Sequence, residues 1–230
     1  MSLPKLSSPI FTMILPSTKN EIHYRAFTVK EEKILLMAVQ AQDTKSISLA
    51  INQILKNCIV TEINIDQLPV FDIEYTFMQI RSKSVGNIIK LNVRDDEDDT
   101  QHIVEINIDD IVVFFPENHT DMIDLTDDLK LKIKYPSYSV IDKIGKDTAQ
   151  ETALLRCSMD KLISKDEIYD FDDYSVKEID DFIDSLSSKN MRDIETFFSN
   201  MPKITYDLEY VSKGEKKTKK LEGLTSFFTL

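Results

Sequence analysis

The stretch Ile22-His23-Tyr24-Arg25-Ala26-Phe27-Thr28-Val29-Lys30-Glu31-Glu32-Lys33-Ile34-Leu35-Leu36-Met37-Ala38 changes structural character halfway along. Its first part, with Ile22, Tyr24 and Phe27, reads as the end of a strand. Thr28 followed three residues later by Glu31 is a capping-box pattern. The threonine hydroxyl can accept the Glu31 N–H while the glutamate carboxylate reaches back to the Thr28 N–H. A helix over about Val29 to Gln42 is the expected continuation. A strand feeding directly into a capped helix sets the expectation for the chain, an α+β fold.

Working outward, Ile10 to Leu15 precede the polar run Pro16-Ser17-Thr18-Lys19-Asn20, so residues 9–27 suit a β-hairpin. Downstream, Ile47, Ala50, Ile51, Ile54, Leu55 and Cys58 recur at helical spacing and fall on one face. Cys58 on that stripe reads as a core thiol. Val70, Ile73, Phe77 and Ile80 predict a third helix over 69–84, with Gly86 where a C-terminal cap belongs. The nearby aromatic residues read as core packing.

Residues 87–115 carry period-two alternation on two arms. Ile89, Leu91 and Val93 alternate with polar residues, and so do Val104, Ile106 and Ile108. This predicts an antiparallel hairpin with one wet face. Its tip, Asp95-Asp96-Glu97-Asp98-Asp99, concentrates negative charge. A strand at about 129–134 is expected to extend that sheet.

From Pro136 the reading becomes more helical. Residues 137–164 are expected as helix, with Ile141, Ile144, Leu154, Leu155, Met159 and Leu162 in the core. Asp166 to Asp184 holds nine acidic residues and one lysine. Within it, Ile179, Phe182, Ile183 and Leu186 mark an amphipathic stripe, and another helix is expected near 190–200. The tail alternates through Ile204, Tyr206, Leu208 and Tyr210, then turns at Ser212 to Glu215. The fold expectation is therefore antiparallel β-hairpins packed with amphipathic helices over residues 1–135. A more helical C-terminal region, ending in a hairpin, is expected over 136–230.

A chain of 230 residues with 42% hydrophobic content can bury a substantial core. The net charge of −12 argues against a general nucleic-acid binder, which needs a basic face for phosphates. Two cysteines, Cys58 and Cys157, make neither a disulfide framework nor a zinc ribbon. No apolar run is long enough for a membrane span, and the first residues lack a signal core. The expectation is a protein working in the cytosol where it is made.

The usual marks of catalysis are missing. Four glycines supply no Gly-x-Gly-x-x-Gly, phosphate loop or nucleophile elbow. His23, His102 and His119 lie far apart at no ligand spacing. A calcium loop counted from Asp95 puts Thr100 at the sixth position and Ile106 at the twelfth, where glycine and glutamate belong. No catalytic, metal or cofactor residues are nominated.

Several segments together resemble one family. They are Leu3-Pro4-Lys5-Leu6, Leu15-Pro16-Ser17-Thr18, Tyr24 to Ala38, and Leu68-Pro69-Val70-Phe71-Asp72-Ile73-Glu74-Tyr75. Arg81 to Gly86, Ile106 to Ile111 and Lys134-Tyr135-Pro136-Ser137 continue the series. In this order and spacing they resemble the baseplate hub assembly proteins of T-even-like contractile-tailed phages. That resemblance implies a non-enzymatic role in tail morphogenesis, through contacts with other hub or tail proteins. It implies work in the host cytoplasm during assembly, and a place in the virion baseplate if the chain is retained. Relatives often carry cysteine at the tip of the central hairpin. Here Arg94 and five acidic residues stand there, so no thiol or metal role is expected at that tip.

Candidate partner contacts are the apolar tail at Leu224, Phe227 and Phe228, the tip residues Asp95, Asp96, Asp98 and Asp99, and Phe182 on the acidic helix. The tail could equally cover the protein's own core. The alternative function is an acidic phage inhibitor or DNA mimic acting on a host enzyme.

Overall fold

The computed structural model describes residues 6–41, 44–95, 100–117, 119–137, 140 and 148–227. The opening stretch folds as its residue types dictate. Strand β1 (Ile10–Ile14) pairs antiparallel with β2 (Glu21–Arg25), and Met13 lies opposite Ile22. Helix α1 (Val29–Gln40) starts at Thr28 with a capping box closed by Glu31. The Glu31 carboxylate accepts the Thr28 N–H at 2.8 Å and an Arg25 N–H at 3.0 Å. One side chain thus ties the strand end to the helix start.

Helix α2 (Thr44–Cys58) buries the expected stripe, with Ile54, Leu55 and Cys58 fully enclosed. Helix α3 (Val70–Val85) packs against β2 and against a strand from the far end of the chain, Lys203–Ser212. It buries Phe71, Ile73, Thr76, Phe77, Met78 and Ile80, so more than one face is covered. A helix apolar on several faces belongs in an interior. It stops at Gly86, whose φ of 106° is one that L side chains rarely adopt. The Gly86 N–H donates to the Ser82 carbonyl at 3.1 Å.

Strands β3 (Ile88–Arg94) and β4 (Gln101–Asn107) form the predicted hairpin. Ile89, Leu91 and Val93 point inward, opposite Ile106, Val104 and His102. A short strand β5 (Val112–Phe114) follows.

Next comes a four-stranded antiparallel sheet in the order β6 (Met122–Thr126), β7 (Leu129–Ile133), β8 (Met159–Ser164), β9 (Ile168–Asp170). Strand β7 therefore belongs to this sheet and does not extend the β3–β4 hairpin. Helices α4 (Thr148–Ser158), α5 (Val176–Asp184) and α6 (Ser188–Ser199) accompany the sheet. Ser175 and Ser187 cap α5 and α6 through capping boxes with Glu178 and Asn190. Asn190 also donates to the Leu125 carbonyl at 3.1 Å, fixing α6 on β6.

The chain ends with β10 (Lys203–Ser212) and β11 (Glu215–Glu222), a hairpin whose β10 also pairs with β5. Ile204 thus lies opposite Val113, some ninety residues earlier.

The expectation of a more helical C-terminal region is overturned. Beyond Pro136 the described residues hold α4, α5 and α6, but also four strands, β8 to β11. Met159 and Leu162, expected on a helix, lie on β8, and Ile141 and Ile144 lie outside the described residues. The helix ends because the Ser158 carbonyl accepts the Lys134 N–H at 2.7 Å and the Ser158 hydroxyl bonds back to Leu154. The chain is then captured by β7, with Leu162 opposite Leu131. Pairing partners override the local helical period.

The chain divides into two compact units. Residues 1–114 and 203–230 make the first, and Phe115–Pro202 the second. The first is centred on α3, with Ile22, Tyr24, Ile108, Ile204 and Leu208 enclosed around the helices. The second has its own core of Ile123, Leu131, Ile133, Leu155, Met159, Phe171, Ile179, Ile194 and Phe197.

Candidate functional site

The acidic segment of the second unit builds a groove. Tyr169 lies on β9 and Phe171 starts a 3-10 turn (Phe171–Asp173). Tyr174 follows the turn, and Ile179 and Phe182 are presented by α5. With Leu162 of β8 and Glu178, these side chains line a depression of about 300 Å³. Its floor is apolar, because Phe171 and Ile179 are buried in the core of the unit. Phe171 and Phe182 meet at 5.5 Å between ring centroids. The mouth stays open: Tyr174 is 41% exposed.

Glu178 is the carboxylate in the groove wall, and the chain around it, from Asp166 to Asp184, carries others. Several are held inside the unit: Asp170 pairs with Lys161, Asp172 with Lys134, and Asp180 with Arg156. Glu167 accepts the Tyr169 hydroxyl at 2.8 Å. Asp166, Asp173, Asp181 and Asp184 are exposed and have no ion-pair partner among the described residues. Strand β9, within this acidic segment, pairs with β8 on one side and is the edge of its sheet on the other. Charged flanks of this kind discourage indiscriminate strand addition.

A second depression in the same unit, about 410 Å³, is more polar. His119, Asp124, Lys189, Asp193 and Phe197 are among its walls. The His119 ring stacks on Tyr135 and Phe197 at 5.5 and 5.0 Å. Burial lowers its pKa, against the pull of Asp121. His119 Nε2 is buried and makes no hydrogen bond.

The other candidate contacts lie elsewhere. Leu224 and Phe227 are buried in the first unit, on a 3-10 turn (Leu224–Phe227) after β11. The Leu224 N–H donates to Glu74 of α3 at 2.9 Å. The described end of the tail therefore covers its own core. Phe228, Asp96, Asp98 and Asp99 lie outside the described residues. Asp95 is 1% exposed and is gripped by Lys217 of β11 at 2.9 Å. Lys219 adds a hydrogen bond to the Arg94 carbonyl. Of the nominated residues, only Phe182 joins the groove. Tyr169, Phe171 and Tyr174 went unnominated. Their signal was aromatic residues interleaved with carboxylates, in a stretch read as an acidic run.

No helix among the described residues is long and apolar enough to cross a membrane. No group of three or more His, Cys, Asp or Glu side chains among them is placed to hold a metal ion.

The family of the T4 bacteriophage base plate protein matches residues 8–229, spanning both units. The chain belongs to this family. It is a phage baseplate protein, with a structural or assembly role among other baseplate proteins. Searches of curated proteins and of solved structures return no match to it. For a baseplate protein, the groove in the second unit has the features of a contact site. It combines an open aromatic mouth, a rigid floor and a charged rim, the make-up of an interface anchor pocket.

Proposed function

We propose that this baseplate protein acts without catalysing a reaction, in assembly of the central hub of the baseplate. It does so by binding other hub or tail proteins, in the host cytoplasm during tail morphogenesis. The observation that carries the reading is family membership over nearly the whole chain. The groove supports it, because it offers anchor residues for a partner chain. The acidic-inhibitor alternative draws nothing from the family match.

A phage in which this chain is truncated early tests the proposal. Electron microscopy should show filled heads and no complete tails, with hubs absent or incomplete. Supplying the intact chain from a plasmid should restore tails. Normal baseplates in the truncated phage would overturn the reading.

A further inference from the structure

We propose that the aromatic groove of the second unit docks a basic peptide segment from another protein, with one large apolar side chain as its anchor. This rests on the reading of the protein as a contact-making baseplate component, and it names the chemistry of one contact.

The floor decides the anchor. Phe171, Ile179 and Phe182 offer hydrocarbon, and water standing on that surface is released when an apolar side chain replaces it. A space of about 300 Å³ takes one large aromatic or aliphatic side chain with its neighbours. The floor is preorganised, since Phe171 and Ile179 also belong to the core. Little ordering is then needed on binding.

The rim decides the flanks. Glu178 stands in the groove wall, and Asp173 and Asp181 neighbour Tyr174 and Phe182 in the chain. Asp173 and Asp181 have no cation of their own among the described residues. Lysine or arginine on either side of the anchor satisfies them, whereas an acidic partner meets a segment of nine carboxylates and one lysine. Charge of this kind speeds encounter and rejects wrong partners more than it adds affinity. The exposed Tyr174 extends the contact beyond the anchor.

The chain has no tryptophan, so a tryptophan peptide can be followed by its own emission. The probe is a short peptide with a central Leu-Trp pair flanked by lysines and arginines. Its partner probe carries glutamates at the same places. The full-length protein should shift the emission of the basic peptide to the blue and leave the acidic one unchanged. Raising salt should weaken binding, as a screened charge interaction requires. Phe182→Ala and Tyr174→Ser should each weaken it roughly tenfold or more, the loss typical of an aromatic anchor. Neither substitution alters charge. Tyr174→Ser removes an exposed side chain, so it keeps the test valid if Phe182→Ala unfolds the unit.

Equal binding of both peptides, or no effect of Tyr174→Ser, would overturn the assignment. If Tyr174→Ser also left a complex with hub proteins intact, the groove assignment would fall and the baseplate reading would stand. If the basic peptide bound through the groove but no hub protein did, the groove would stand and the hub reading would fall.

Discussion

The Lys217 ammonium meets both oxygens of the Asp95 carboxylate, at 2.9 and 3.0 Å, across 122 residues of chain. Asp95 is almost wholly enclosed, and Lys217 is 21% exposed. The pair fastens the end of β3 to β11. Removing Lys217 takes two charge-assisted hydrogen bonds from an enclosed carboxylate, at a cost of about 2–3 kcal/mol. Lys217→Ala should therefore lower the urea midpoint of the first unit markedly. The double substitution Lys217→Met with Asp95→Leu should recover most of the loss. Chemical denaturation of the three proteins checks this. A Lys217→Ala midpoint equal to wild type would show that the pair contributes nothing.

Glu74 gives the first unit an unusual pH dependence. Burial pushes its carboxyl up to about 7, only partly offset by the Leu224 N–H. Between about 4.5 and 7 the folded chain keeps a proton that the unfolded chain has released. Stability from this group is therefore lost as pH rises through that window. Glu74→Gln should flatten the slope of melting temperature between pH 5 and 7.5 relative to wild type, on the order of the Glu74 contribution alone. Parallel slopes for the two proteins would contradict the assignment.

Glu31 titrates the other way. Burial raises its carboxyl, but hydrogen bonds from Thr28 and Arg25 outweigh this and bring it down to about 2. Its contribution is complete above about 4.5 and disappears as pH falls toward 2. Glu31→Gln should weaken the protein at neutral pH by about 1–2 kcal/mol, the scale of a lost cap and its charged hydrogen bond. The gap between the two proteins should close on acidification. Circular dichroism melts at several pH values measure it.

Much of the fold was legible where its cause is local. The α2 stripe and the β3–β4 alternation are short-range periods, and Thr28 with Glu31 marks a helix start by itself. The pairing of β5 with β10 was not legible, because Val113 and Ile204 are joined only by the folded chain. The same holds for Asp95, whose acidic neighbours suggest a solvated turn until Lys217 is seen beside it. Strand β8 is hidden in the sequence because the helical spacing of Leu154 and Leu155 continues through Met159 and Leu162. Of the groove, Phe182 was visible through the amphipathic α5. Tyr169, Phe171 and Tyr174 sit on a three-residue strand, a 3-10 turn and the residue after it, too short to impose any period.

The two thiols should differ sharply. Cys58 is buried, and desolvation pushes its pKa up to about 11. Cys157 is exposed. Iodoacetamide at neutral pH should add one group to the native protein, at Cys157, and a second only after denaturation, since the thiolate is the reactive form. Mass spectrometry of native and unfolded samples reads the outcome directly. Two groups on the native protein would contradict the packing of α2.

The central claim is that this protein works by binding baseplate partners. Co-expression with the hub proteins of the same phage, affinity capture and native mass determination test it most directly. The account predicts a defined complex of fixed stoichiometry, weakened by Tyr174→Ser. Recovery of the chain alone at low and moderate salt, with every hub protein present and soluble, would contradict it.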